Sequence, residues 1–226
     1  KKEFPSVNLH ALSADEVWHI SKVSNISLRE VFNRLIAAGL GSFPGGGAEI
    51  LVDRVRTRIA RLKTNTSSWL EAHATAHSLG LRSTATLMFG TVETWEDRII
   101  HLERLRALQD TTGGFTAFIT WPFQKGELTL TSGDTSSLQY LKVQALARIY
   151  LDSFAHVQSS WVTIGPEIGQ LALSYGADDF GSVMFEENVV SAAGTTYSMT
   201  AELIEHQVRN AGYQPYQRDM WYRNLS

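Results

Sequence analysis

The segment Ser83-Thr84-Ala85-Thr86-Leu87-Met88-Phe89-Gly90 is a run of β-branched and apolar residues that stops at a glycine. It reads as a buried strand. Thr94 to Gln109 follows with Ile99, Leu102, Leu105 and Leu108 on one side, which is the period of a helix. Phe115-Thr116-Ala117-Phe118-Ile119-Thr120-Trp121 then reads as a second strand. Strand, helix and strand in this order make a unit whose strands run parallel, because a crossover helix returns the chain to the end of the sheet at which the first strand began.

The same alternation extends in both directions. Toward the N-terminus, Val7 to Leu12 reads as a short strand, and Ser13-x-x-Glu16 and Ser27-x-x-Glu30 read as capping boxes. The two helices they open run past Val17, Trp18, Ile20 and Val23, and past Val31, Leu35 and Ile36 to Gly39. Leu40 to Pro44 is a strand, Leu51 to Ile59 a helix carrying Arg54, Arg56 and Arg58, and Ser68-x-x-Glu71 a further expected cap. Toward the C-terminus the spacing predicts a helix over 136–151, a strand over 157–162, a helix over 166–175, a strand or turn over 177–184 and a helix over 200–211. Residues 213–226 read as a C-terminal extended segment. The expectation is one α/β domain over residues 1–226, barrel-like, with about six βα units where a closed eight-stranded barrel has eight.

Composition excludes several function classes. The 226 residues are 43% hydrophobic and 19% charged, with a formal net charge of −3, so nothing marks a basic nucleic-acid footprint. The sequence has no apolar run of transmembrane length. Its first residues, Lys1 to Pro5, lack a secretory apolar stretch, and the expectation is a cytoplasmic protein with no membrane partner. Cysteine is absent, which removes disulfides, thiolate metal sites and cysteine nucleophiles. His73, His77 and His101 have no zinc-motif spacing, so no metal site is expected from them.

In a parallel α/β barrel the chemistry sits on loops after the C-terminal strand ends. Here those loops hold His10, Pro44 to Glu49, Glu93, Trp121 to Gln124, Ser160 to Thr163 and Asp178 to Asn188. Gly45-Gly46-Gly47 permits a tight turn or a close backbone approach, and Glu49 stands where the next helix begins. The stretch reads either as a ligand loop or as a surface loop with a capping acid. Glu93 orients a substrate or caps the helix after it; His10 carries a proton or is a hydrogen-bonded structural residue. Asp178-Asp179 and Glu186-Glu187 form a hydroxyl- or cation-binding cluster or a solvated run. Trp121, Phe123 and Trp161 stack on a ligand or pack at the rim.

Several segments together resemble a radical S-adenosylmethionine family. They are Gly45 to Leu51, Thr84 to Gly90, Leu108 to Phe115, Gln158 to Val162, Gly176 to Ser182 and Glu186 to Val190. The family is the dehypoxanthine futalosine cyclases of menaquinone biosynthesis, with aminofutalosine synthase and the deazaflavin-ring subunits as relatives. The resemblance implies a (β/α)₈ barrel of which this chain supplies about the last six units. It implies S-adenosylmethionine and a 4Fe–4S cluster as cofactors, a nucleoside-like substrate, and an electron donor such as flavodoxin or ferredoxin. It further implies hydrogen abstraction from the substrate ribose by a deoxyadenosyl radical, followed by ring closure.

Residue by residue, the resemblance assigns cofactor binding to Gly45, Gly46, Gly47, Glu49, Arg54, Gln158 and Ser160, with Arg54 on the cofactor's carboxylate. It assigns substrate binding to Trp121, Gln124, Trp161, Glu187 and Asn188, and catalysis to Glu93, Asp178, Asp179 and His10. Two departures stand out. The family holds its cluster with three cysteines spaced C-x₃-C-x₂-C, and this chain has none; the expectation is that two leading βα units precede Lys1. Thr91 stands where many members carry histidine, so no histidine role is expected there.

Overall fold

A computed structural model describes residues 1–124, 133, 135–184, 191–194 and 197–225. Among them run β1 (Leu9–His10), α1 (Ala14–Ser24), α2 (Leu28–Ala37), β2 (Leu40–Phe43), α3 (Asp53–Ile59), α4 (Thr66–Ser78), β3 (Arg82–Phe89) and α5 (Trp95–Thr112). They continue with β4 (Phe115–Pro122), α6 (Ser137–Tyr150), β5 (His156–Gln158), α7 (Trp161–Ile164), α8 (Pro166–Ser174) and α9 (Ala201–Asn210). The strands form a single five-stranded sheet in sequence order, β1-β2-β3-β4-β5. Every pairing is parallel. A lone parallel bridge between Gln158 and Asp179 adds the start of a sixth position.

The expected alternation is therefore present, as a parallel α/β sheet that the described residues leave open. The strand expected over Val157 to Val162 is a correction: β5 ends at Gln158, and Trp161 to Ile164 turns into α7. Ser160 O accepts from Thr163 N at 3.0 Å, and Trp161 is 1% exposed, buried in the core. Burial of the Trp161 side chain outweighs the β propensity of Val162. In the C-terminal segment, Arg218 and Asn224 form an antiparallel bridge, so the chain folds back on itself between them.

Helix starts follow local chemistry. Ser13 and Glu16 close a reciprocal capping box on α1, Ser13 N donating to Glu16 Oε2 at 2.6 Å. At α2 only half of the expected box forms, because Glu30 turns to Arg34 at 2.7 Å. At α4 the expected Ser68 cap gives way to Asn65, whose Oδ1 accepts from Ser68 N at 2.9 Å. Asparagine and serine cap about equally well, and Asp53 takes the Thr66 amide at 2.7 Å, which fixes the start of the helix there.

The β3–β4 register sorts side chains by face. Thr84, Thr86 and Met88 stand beside Ala117, Ile119 and Trp121 on one face. Ala85, Leu87, Phe89 and Phe118, on the other, are buried in the core. Phe118 meets Phe154 edge-on at 6.5 Å, and Phe115 stacks on Phe154 at 5.3 Å. Beneath β2 and β3, Trp69, His73 and Phe43 make a second aromatic nest, with Trp69 and His73 rings 3.8 Å apart. No helix of the described residues is long and apolar enough to cross a membrane.

Candidate functional site

The three glycines have three different reasons to be there. An added Cβ at Gly45 would lie 2.5 Å from the Thr84 carbonyl oxygen and 2.9 Å from Ala85 Cα, so no side chain fits. That approach lets Gly45 N donate to Thr84 Oγ1 at 2.9 Å and Gly45 O accept from Thr86 Oγ1 at 2.6 Å. The loop is thus fastened along β3 beyond the end of β2. Gly46 has nothing within 4 Å of a Cβ position, and Gly47 has φ +82°. Gly45→Ala is expected to lower stability by ~1–3 kcal/mol, the cost of forced overpacking. Gly46→Ala is expected to stay within about 0.5 kcal/mol of wild type; urea titration of both variants checks the contrast.

Glu49 leaves this loop in the left-handed region, φ 45°. Its carbonyl accepts from Met88 N at 2.8 Å, and its carboxylate pairs with Lys63. Sequence reasoning missed the residue beneath it. Arg56, 3% exposed, donates to the carbonyls of Gly47 at 3.1 Å, of Ala48, and of Thr64 at 3.0 Å. Its only sequence signal is an arginine in an otherwise unremarked short helix. Arg54, expected on a ligand carboxylate, forms two hydrogen bonds to Asp97, at 2.7 and 2.6 Å, and so ties the first turn of α3 to that of α5.

Glu93 is likewise engaged by the protein. Its Oε1 accepts from Gly90 N at 2.7 Å and from Arg98 at 2.6 and 3.0 Å. Its Oε2 accepts from Thr91 N and Thr91 Oγ1, both at 2.8 Å. Burial pushes this carboxyl up, but the Gly90 amide, Arg98 and Thr91 together hold it below its ordinary value. It clamps the turn after β3, while Thr94 and Asp97 cap α5. The hydroxyl of Thr91 is part of that clamp.

The neighbouring acids Asp178 and Asp179 do not act as one cluster. Asp178 accepts from Arg148 at 2.6 Å and Val157 N at 2.7 Å, and meets His156 Nδ1 at 2.8 Å. Asp179 takes a two-pronged contact from Arg218, at 2.5 and 2.9 Å. Arg218 lies over the Tyr222 ring, which stacks on His156 at 3.7 Å. These contacts pin the C-terminal segment to the sheet beside β5. His10 Nδ1 meets Ser42 Oγ at 2.7 Å, and burial lowers its pKa.

Gln158 lies against Gly181. Ser160 N donates to Tyr140 Oη at 3.1 Å, and its hydroxyl meets Thr163 Oγ1 at 3.0 Å. Gln124 donates to the Pro122 carbonyl at 3.2 Å, and Trp121 is half-buried at the end of β4. Glu187 and Asn188 lie outside the described residues, as does Glu186. A cavity of about 320 Å³ lies at the other end of the sheet, around His77, Arg82 and Gly114, and holds none of the residues named as candidates. The structure thus brings Gly45 to Glu49 together with Lys63 and Arg56, and distributes the remaining acids among structural ion pairs.

Known proteins match this chain along its whole length. The chain is 47% identical over its whole length to the cyclic dehypoxanthine futalosine synthase of Streptomyces coelicolor. It is 46% identical, over 98% of its length, to the protein of that name from Halalkalibacterium halodurans. The aminodeoxyfutalosine synthase of Thermus thermophilus is 42% identical over the whole chain. The chain spans 57%, 60% and 62% of these three proteins. Residues 112–226, more than half of the chain, match the family model described as the CofH/MqnC C-terminal region. The chain therefore belongs to the CofH/MqnC C-terminal region family.

Proposed function

We propose that this chain is part of a radical S-adenosylmethionine enzyme that cyclises dehypoxanthine futalosine on the route to menaquinone, within a (β/α)₈ barrel. The observation that carries the reading is the Gly45–Glu49 loop. Its backbone is fastened along β3, and its single acid stands with a carboxylate oxygen that has no hydrogen-bond partner among the described residues. An amino group of S-adenosylmethionine suits that carboxylate, and the open space at Gly46 suits a ligand lying on the backbone. These residues fit the cofactor, which when bound supplies radical hydrogen abstraction.

The 4Fe–4S cluster is a different matter. The chain has no cysteine, and the described residues hold no group of three or more histidines and acids able to bind a metal. The residues present do not fit a cluster, and no step through one is derived. In this reading the chain's own work is binding and orientation. Arg56 holds the loop, Glu49 holds the ammonium, and Gln158, Ser160, Trp121 and Gln124 stand along the strand ends toward the nucleoside. A flavodoxin- or ferredoxin-like electron donor and a cytoplasmic location belong to the same proposal.

Of the earlier assignments, Arg54, Glu93 and Trp161 are occupied by structural contacts. We therefore assign them positioning and packing roles. Asp178, Asp179 and His10 keep no direct role in this reading. The full-length gene product, reconstituted anaerobically, is expected to contain iron and sulfide and to convert dehypoxanthine futalosine. Turnover of the aminodeoxyfutalosine synthase substrate instead moves the assignment to the sister enzyme, to which this chain is 42% similar by identity. Glu49→Gln is expected to weaken S-adenosylmethionine binding about tenfold or more, the loss of one charged hydrogen bond; unchanged affinity in equilibrium dialysis removes Glu49 from the site.

A further inference from the structure

We infer that His10 binds an acceptor oxygen of the nucleoside-like substrate through a hydrogen held on Nε2, as a neutral donor and not as a base. The identity of that ligand rests on the cyclase reading, which by itself leaves His10 idle. The placement of the hydrogen stands on this chain alone.

Two neighbours place it. Ser42, 4% exposed, has its hydroxyl between Asn8 Nδ2 at 2.8 Å and His10 Nδ1 at 2.7 Å. A Cβ added to Gly41 would lie 1.9 Å from Asn8 Oδ1, so that oxygen faces a Cα hydrogen of the glycine. Such a C–H group suits an acceptor. The Asn8 amide nitrogen is therefore the group on Ser42, and it donates. Ser42 keeps one hydrogen of its own, and His10 Nδ1 is the acceptor it meets among the described residues. With a hydrogen already on Nδ1, the Ser42 hydroxyl would be buried with its own hydrogen unpaired, at a cost of ~1–3 kcal/mol. Nδ1 therefore accepts, and the neutral ring carries its hydrogen on Nε2. Burial lowers the pKa of His10 and so favours that neutral ring.

The position of the ring points to a ligand. His10 is the last residue of β1, at the strand end where parallel α/β folds bind their ligands. The register pairs it with Ser42, and Ser42 with Arg82. The period of two then puts His10 on the face that carries Thr84, Thr86, Met88 and Trp121. Thr84 and Thr86 hold Gly45, so the histidine shares its face with the fastening of the glycine loop. Its Nε2 has no hydrogen-bond partner among the described residues. An N–H of this kind takes a carbonyl, hydroxyl or carboxylate oxygen and refuses an ammonium.

Equilibrium dialysis of the reconstituted full-length protein, with dehypoxanthine futalosine and separately with S-adenosylmethionine, tests the contact. His10→Gln keeps an N–H near the Nε2 position, whereas His10→Asn reaches only as far as Nδ1. His10→Asn is expected to weaken dehypoxanthine futalosine binding about tenfold and His10→Gln less than about threefold, with S-adenosylmethionine affinity unchanged in both. Equal losses in the two variants, no loss in either, or a parallel loss of S-adenosylmethionine overturns the contact and leaves the cyclase reading standing. Nitrogen-15 NMR of the same protein with labelled histidine reads the tautomer separately. The expected signals are an unprotonated Nδ1 and a protonated Nε2 for His10, and the reverse overturns the inference. If wild type binds no dehypoxanthine futalosine, the cyclase reading and the ligand contact fall together, and the NMR signals alone decide the hydrogen.

Discussion

Arg98→Met is expected to destabilise the protein by ~3–5 kcal/mol, the cost of stranding one member of a buried ion pair. The side chains of Arg98 and Glu93 are 5% and 1% exposed. Arg98 supplies two of the donors on Glu93 Oε1 and lies over both the Phe89 and Trp95 rings, 5.0 and 4.6 Å from their centroids. Methionine keeps much of the apolar contact and removes the charge, so the loss reports on the uncompensated carboxylate. Glu93→Gln in the same chain is expected to recover part of that loss, because a neutral amide costs less to bury than an anion. It will not recover all of it, since the Gly90 and Thr91 amides are arranged around two acceptor oxygens. Urea unfolding of the two single variants and the double variant gives the coupling directly. A cost for Arg98→Met below about 1 kcal/mol would place the pair in effective contact with water.

Acid is expected to destabilise the protein well above the carboxylate range. Burial drives the His101 imidazole down to about 3, with Arg56 next in effect. Burial, and then Arg82, brings His77 to about 4. Burial, and then His77, holds His73 well below its usual value. The contacts suit neutral rings: His101 Nδ1 accepts from Leu51 N at 2.9 Å, and His73 and His77 both meet Ser83 Oγ, at 2.9 and 2.7 Å. The unfolded chain takes up protons on all three near pH 6.5 and the folded chain does not. Stability is therefore full above that value and falls as pH drops below it, by about 1.4 kcal/mol per pH unit for each histidine. Between pH 7 and pH 5 the sum is about 4–6 kcal/mol. Glu93 and Asp97, both held below their ordinary values, add a separate loss only at lower pH. Denaturant titrations at the two pH values check this, and an unchanged midpoint would contradict neutral burial of the three rings.

Much of the frame could be read along the chain because its causes are local. Ser13 with Glu16 and the glycine at position 39 bound helices where neighbours a few residues away decide the matter. The β3 and β4 segments were legible because both faces of a parallel strand are covered, leaving a nearly unbroken apolar run. Val157 to Val162 misled for the opposite reason. The same six residues support either a strand or a turn into a helix, and the choice fell to the pocket that receives Trp161. At α4 two polar residues three apart competed to cap one helix, and Asn65 prevailed over Ser68.

By itself the sequence determined the parallel α/β class, the order of most elements, the family, and the glycine loop as the place to look for a ligand. Those follow from periodicity, caps and a motif, all of which are short-range properties. Only the tertiary structure decided which charged groups are free to act. Arg54 and Asp97 are 43 residues apart in sequence, Glu49 and Lys63 are 14, and Asp179 and Arg218 are 39. Whether a carboxylate meets a ligand or a guanidinium depends on which distant segment folding places beside it. Burial then sets the energy of that pairing. For that reason Glu49 at the end of the glycine loop meets Lys63, while Arg54, which the sequence placed nearer, is paired with Asp97.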